Sequence, residues 1–213
     1  MYFQNVVSGE ELIARLKSAD IALINFTRLP ANILNVLDNL KMIAICATGC
    51  DSIDMLVANE KNIVVSNVPH YATAATAELA FGLILSVNRK IVQAHSLVKS
   101  GKWQCPQEIG TTLHVKTLGI IGMGAIGQAL ARIGHGFGMN VIAVTKHPSN
   151  KRANQLGIQF FSKHDILKQS DIIILSLPLN HSTSYLIDEN AFHLMQSHAL
   201  LVNVSREGET GFC

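Results

Sequence analysis

"TLGIIGMGAIGQALARIGHGFGMNVIAVTKHP", residues 117–148, decides the fold. A short apolar run, Leu118 to Ile121, leads into Gly122-x-Gly124-x-x-Gly127, then an alanine-rich helical stretch, then a second apolar run from Val141 to Val144. Glycines at that spacing, between a buried strand and the helix it opens, have a mechanical use. Gly122 permits a tight turn, Gly124 lets backbone approach a pyrophosphate, and Gly127 lets helix and strand pack closely. The helix N-terminus adds free N–H groups and the positive end of its dipole. The same spacing also serves as a plain structural turn or as the seat of another nucleotide-like ligand. The flanking strand and helix favour a dinucleotide site built on Gly122, Met123, Gly124, Ala125, Ile126 and Gly127.

The second strand of that unit ends at Thr145, where an acid usually accepts hydrogen bonds from the adenosine ribose. A neutral threonine followed by Lys146, His147, Lys151 and Arg152 removes the repulsion of a 2′-phosphate and offers cations instead. The expectation is NADP, or NAD with loose selectivity; a solvated basic loop is the plainer alternative.

Outward from this unit, strand-like runs alternate with helical patterns. "ADIALINF" (19–26), "KMIAICAT" (41–48) and "NIVVSNV" (62–68) read as buried strands, separated by helical spacing in 10–18, 31–40 and 52–61. A long helical stretch covers 72–98, followed by the irregular "GKWQCPQEIGTTLHVK" (101–116). After the glycine turn come helix 151–156, strand 158–161, helix 164–169, strand 171–177, helix 188–196 and strand 199–205. Such alternation predicts an α/β fold: two doubly wound parallel-sheet domains, flavodoxin-like then Rossmann, joined by a long helix. Residues 1–98 form the first domain, with the hinge helix 72–98, and residues 99–213 the second. After Ser205 the chain runs into "REGETGFC", so the second sheet would stop at its fifth strand, and the fold is expected to be C-terminally incomplete.

Composition excludes several function classes. The 213 residues are 48% hydrophobic and 15% charged, enough apolar matter for a real core and too little charge for disorder. A net charge of +2, with no basic stripe, argues against a nucleic-acid partner. No run reaches the roughly 18 apolar residues of a membrane span. Four cysteines (Cys46, Cys50, Cys105, Cys213) lack zinc-ligand spacing and nine histidines are scattered, so no metal site is expected and a reducing cytoplasm is the simplest home.

Several blocks, in order, resemble the D-isomer-specific 2-hydroxyacid dehydrogenase family, most closely its glycerate dehydrogenase/hydroxypyruvate reductase members. Residues 47–85 look like the substrate-loop and hinge region, "GKW" (101–103) like a connector, 117–143 like the cofactor signature and 170–206 like the last signature stretch. The resemblance implies hydride transfer between a nicotinamide cofactor and a small 2-oxo or D-2-hydroxy acid, in a cleft between two domains of a homodimer. It makes Arg206 the catalytic cation that holds the substrate carboxylate and polarises the carbonyl, a double task suited to a planar charged fork. Thr48, Gly49 and Cys50 match the loop whose N–H groups receive the carboxylate; an ordinary strand-to-helix turn explains them equally well. Cys50 has no base nearby in sequence, so packing or backbone duty suits it better than reactivity. Leu177, Pro178 and Thr183 match the cofactor-contacting loop, and Asn203, Val204 and Ser205 the nicotinamide side. Glu78, inside an apolar helix, matches a hinge acid, and structural anchoring is the favoured role among catalysis, anchoring and simple exposure.

The likeness stops after Arg206. No histidine matches the family's glutamate–histidine pair, whose imidazole moves the hydroxyl proton. Losing that donor typically costs roughly 100- to 10,000-fold. The sequence therefore leaves open an active 2-hydroxyacid dehydrogenase acting on hydroxypyruvate or glyoxylate, a catalytically dead NAD(P)-binding module, and a truncated gene remnant.

Overall fold

The computed structural model describes residues 9–103, 110–180 and 182–210. The chain divides into two compact units, Met1–Tyr71 and Ala72–Cys213.

In the first unit, helices α1 (Gly9–Leu16), α2 (Ala31–Leu34) and α3 (Met55–Glu60) alternate with strands β1 (Ile21–Ile24), β2 (Met42–Ile45) and β3 (Val64–Ser66). The strands are parallel in the order β1-β2-β3, in register Ile21↔Met42↔Val64. Alternate strand residues point to opposite faces, so Ala22, Ile24, Ile43 and Ile45 are buried and join a core with Leu12, Leu34 and Leu37. The other face leaves Ile21, Leu23 and Val64 exposed. Asp54 caps α3 by accepting from the N–H groups of Leu56 and Val57, both at 3.1 Å. The expected helix 31–40 is regular only to Leu34; the weak helix formers Asn35, Asp38 and Asn39 follow, and Val36 and Leu37 bond back only three residues.

The second unit begins with α4 (Thr73–Asn88) and α5 (Ile91–Lys99). The single joining helix expected over 72–98 is therefore broken, with Lys90 in the left-handed region at φ 55°. Its first half packs into the second unit, burying Ala77, Ala80, Phe81 and Ile84 against Leu118 and Leu130. Then follow β4 (Thr117–Ile121), α6 (Ala125–Gly136), β5 (Asn140–Val144), α7 (Asn150–Leu156), β6 (Gln159–Phe160), α8 (Lys163–Gln169), β7 (Ile172–Leu175), α9 (Glu189–Leu194), β8 (Leu200–Asn203) and a 3₁₀ turn, Glu207–Glu209. All five strands are parallel, in the order β6-β5-β4-β7-β8. The order reverses between β4 and β7, which makes this unit a doubly wound Rossmann sheet.

Near-continuous branched runs suit strands buried on both faces. Leu118, Ile120, Ala143 and Ile174 pack on the α4 and α6 side; Ile121, Ile173 and Leu175 pack on α8 and α9 through Ile166, Leu167 and Ala191. Phe81 stacks on Phe137 with ring centroids 5.4 Å apart. At the opposite end of the sheet from the glycine turn, Asp171 accepts from the Thr117 N–H at 2.8 Å and from Lys116 Nζ at 2.9 Å, and pairs with His198.

Candidate active site

The loops leaving β4, β5, β7 and β8 gather at the carboxyl ends of the parallel strands, beside the reversal between β4 and β7. Ligands of open α/β sheets bind there.

The three glycines of the first loop have three different surroundings. Gly122 has φ +106°, and a Cβ on it would sit 2.5 Å from the Ser176 carbonyl oxygen. Gly127 lies so close to the turn that a Cβ would come 2.1 Å from the Gly122 carbonyl oxygen. Gly124 has nothing within 4 Å of that position. The first and third glycines are therefore demanded by the protein's own packing, while the space over the second is open to an incoming molecule. Gly124 is also the N-cap of α6, with no side chain capping the helix and no acid in its first turn. Its N-terminal amides and positive dipole end are left for an anion, and this cradle fits a dinucleotide pyrophosphate. Met123 turns its side chain into the core, so its share of the loop is backbone.

Thr145 follows β5, half-buried, with Lys146, His147 and Lys151 exposed after it. Arg152 behaves differently from those cations. Its Nη1 donates to the Met123 carbonyl at 3.1 Å and its Nη2 to the His147 carbonyl at 2.6 Å.

After β7, Ser176 Oγ donates to the Gly122 carbonyl at 2.8 Å, which ties this loop to the glycine turn. The Leu177 N–H donates to Ser205 Oγ at 2.9 Å, joining it to the end of β8. Thr183 Oγ1 donates to the Pro178 carbonyl at 2.7 Å and accepts from the Asn180 N–H at 2.8 Å. That hydroxyl thus closes the 178–183 turn. Beyond β8, Asn203 Nδ2 donates to the Arg206 carbonyl at 2.7 Å while its Oδ1 accepts from the Ser205 N–H at 2.9 Å. Val204 packs against the core, and Arg206 is exposed, its Nη1 on the Ser205 carbonyl at 3.0 Å.

Beside Arg206, Glu209 is fully buried and neither carboxylate oxygen has a hydrogen-bond partner. Burial pushes its carboxyl up to about 7, against a smaller opposing pull from the nearby Ser205 hydroxyl and from Arg206.

In the first unit, Thr48, Gly49 and Cys50 follow β2. Thr48 Oγ1 donates to the Val68 carbonyl at 3.1 Å, and its own carbonyl accepts from Asn67 Nδ2 at 2.7 Å. Cys50 is a free thiol packed against that unit's core, and Cys46 is an exposed one. Glu78 lies exposed on α4, where water solvates a carboxylate without a partner, so the anchoring role expected for it is corrected to a surface position. The structure thus gathers the residues expected at 122–127, at 145–146, at Leu177, Pro178 and Thr183, and at 203–206 around the carboxyl ends of one sheet. It adds Ser176 and Glu209, neither of which has a local sequence signature, and it gives Arg152, expected only as one of the cations after Thr145, two main-chain carbonyl partners. Cys105 and Cys213 lie outside the described residues. Among the described residues no group of three metal-ligating side chains forms. No helix among the described residues is long and apolar enough to cross a membrane.

Residues 81–210 match the family model described as D-isomer specific 2-hydroxyacid dehydrogenase, NAD binding domain. A glyoxylate reductase of Thermococcus kodakarensis is 33% identical over 208 residues, 94% of this chain and 62% of that protein. The chain spans less than two thirds of the length of such relatives. An acyclic imino acid reductase in complex with NADPH and D-Arg superposes with a TM-score of 0.89 at 34% identity, over 98% of this chain and 67% of that one. A D-lactate dehydrogenase from Aquifex aeolicus, complexed with NAD and lactic acid, gives 0.87 at 29% identity, over 93% and 60%. A sheet reversed at β4, a glycine turn open at Gly124 and a family match running through both place this chain in the D-isomer specific 2-hydroxyacid dehydrogenase family, with its second unit the NAD binding domain.

Proposed function

We propose that the protein is an oxidoreductase that interconverts a small 2-oxo acid, hydroxypyruvate or glyoxylate, and the corresponding 2-hydroxy acid, D-glycerate or glycolate. The observation that carries this reading is the open space over Gly124 at an uncapped helix N-terminus. Bound NADP or NAD would supply or accept the hydride. The accompanying proton on the carbonyl oxygen would be exchanged with water, since no histidine here matches the family's proton-moving pair.

The chain's own residues bind and orient. The amides of Gly122 to Gly127 hold the pyrophosphate, and Thr145 with Lys146 faces the adenosine ribose. Leu177, Pro178 and Thr183 wall the nicotinamide side, together with Asn203, Val204 and Ser205. Arg206 offers a planar charged fork to the carboxylate and carbonyl of a 2-oxo acid, which favours the negative charge that grows on the carbonyl oxygen. Thr48, Gly49 and Cys50, in the first unit, offer backbone N–H groups to a carboxylate. The lack of an acid at Thr145 and the exposed Lys146 and Lys151 support acceptance of NADPH.

A homodimer is part of the same reading. Leu79, Leu83 and Val87 form an exposed apolar stripe at helical spacing along α4, the kind of surface a partner helix covers. Free thiols at Cys46 and Cys50 fit a cytoplasmic home.

The test is a fluorescence titration with NADPH and NADH, followed by an assay of hydroxypyruvate and glyoxylate reduction. Binding with turnover supports the whole reading. Binding without turnover reduces it to an NAD(P)-binding module, and absence of binding refutes it. Thr145→Asp should shift preference toward NADH by about tenfold, the worth of one repelled phosphate at a half-exposed site; an unchanged ratio refutes the role given to Thr145.

A further inference from the structure

We propose that Arg152 is a positioning residue that sets the pyrophosphate grip and the adenosine-selecting loop as one unit, and is not itself a ligand of a 2′-phosphate. This rests on the dinucleotide reading above and deepens it.

Arg152 stands in the first turn of α7, and its own N–H completes the Ser149 cap of that helix at 3.4 Å. The backbone is thereby fixed before the side chain reaches out. The guanidinium then spends two of its donors on main-chain carbonyls from two different loops, Met123 in the glycine turn and His147 in the loop after Lys146. Charge-assisted bonds of this kind are stronger than neutral ones, and the rigid fork loses little freedom in making two at once.

The effect on the ligand follows from peptide geometry. The Met123 carbonyl and the Gly124 N–H belong to one planar trans peptide, so they point in opposite directions. Drawing the carbonyl toward α7 turns the Gly124 N–H the other way. The Met123 side chain, buried in the core, holds the residue on its other side. Meanwhile the bond to His147 fixes the chain right after Thr145 and Lys146. A shift at either loop is therefore felt at the other through one side chain. With both visible donor contacts made to carbonyls, selection of a 2′-phosphate falls to the exposed Lys146 and Lys151, not to Arg152.

The experiment compares wild type, Arg152→Met, Arg152→Lys and Lys146→Met by NADH and NADPH fluorescence titration, well below each variant's melting temperature. The expected result for Arg152→Met is a loss of about 10- to 100-fold in affinity for both cofactors, the worth of one or two charge-assisted bonds, with the NADPH:NADH ratio unchanged within about threefold. Arg152→Lys, which can still hold one carbonyl, should recover part of the loss. Lys146→Met should weaken NADPH alone. The Gly124 amide resonance of the ligand-free protein should move in Arg152→Met, which a merely stabilising side chain on α7 would not cause. A loss confined to NADPH would make Arg152 a phosphate ligand and overturn the proposal. A lower melting temperature with unchanged affinities would overturn it as well, and if Arg152→Met does not fold, the lysine variant carries the same comparison. Wild type that binds neither dinucleotide sinks the cofactor reading, and the proposal with it; wild type that binds while the arginine variants match it sinks the proposal alone.

Discussion

Replacing Glu209 with glutamine should make the protein more stable above neutral pH and change little below pH 5. The carboxyl is fully buried in the turn after β8, with no hydrogen-bond partner for either oxygen. Its backbone is tied to the segment before α9: the Ile187 N–H donates to the Glu209 carbonyl at 3.0 Å and the Tyr185 N–H to the Gly208 carbonyl at 2.9 Å. The side chain cannot leave for water without opening those bonds. Burial raises its pKa from 4.5 to about 7. A raised acid favours the folded state fully below the unfolded value, and that contribution is lost as pH rises through the folded one. At 1.36 kcal/mol for each unit, the loss between pH 4.5 and pH 8 is about 3 kcal/mol, roughly 6–12 °C in melting temperature for a domain of this size. Local opening of the turn makes this a ceiling.

The measurement is urea unfolding of wild type and Glu209→Gln between pH 5 and pH 9, followed by far-UV circular dichroism. The lone Trp103 is 90% exposed and reports poorly on either core. The variant's stability should stay flat where the wild type's falls, because the amide has no proton to lose. Parallel curves across the whole range would refute the assignment.

Further expectations concern the glycine turn and the far end of the sheet. Gly122→Ala demands a side chain at φ +106° against the Ser176 carbonyl and should destabilise the protein by about 2 kcal/mol or more, whereas Gly124→Ala meets nothing and should leave stability within about 0.5 kcal/mol. Titration should nonetheless find dinucleotide binding weakened about tenfold or more in Gly124→Ala; unchanged affinity would mean that the open space is not where the ligand lies. For Asp171, burial works to raise the carboxyl, but the Thr117 N–H, Lys116 and His198 together hold it below its usual value. A lowered acid stabilises above its unfolded pKa and loses that contribution as pH falls, so Asp171→Asn should cost about 1–2 kcal/mol at pH 7 and nothing at pH 2 by denaturant unfolding. An equal cost at both pH values would show that packing alone matters there.

The features legible in the sequence are those that short-range rules determine. Ile172 to Leu175 and Leu118 to Ile121 are strands because branched residues fill both faces of a central parallel strand, and each lies within a residue or two of where its apolar run places it. The glycine turn was legible because two of its glycines answer to contacts only one turn or one strand away. The break at Lys90 belongs to another kind. No glycine or proline marks it; instead the segment after α5 returns so close that a Cβ on Gly110 would lie 2.1 Å from the Asn88 carbonyl oxygen, and Thr111 Oγ1 donates to Asn88 Oδ1 at 3.1 Å. The unit that takes α4 was equally hidden, since a helix apolar on nearly every side carries no direction in its spacing. Packing decided it, through Phe81 and Ile84.

Arg152 and Glu209 extend the same argument to function. Arg152 meets a carbonyl 29 residues away, and in sequence it cannot be told from Lys151 beside it, which stays in water. Glu209 sits in a run of polar and glycine residues that reads as an exposed tail, yet two backbone bonds to the segment before α9 draw it under the surface. Both residues take their chemistry from a loop they reach only after the sheet has formed. A reader of the sequence can therefore name the groups that touch a ligand by spacing, while the groups that hold those in place become visible only through the contacts that the fold itself makes. Exchanging Arg152 with Lys151 in one chain, by the double change Arg152→Lys and Lys151→Arg, tests that distinction directly. Composition and net charge are unchanged, so any loss in dinucleotide affinity measures position alone, and equal affinity for both cofactors before and after the exchange would refute it.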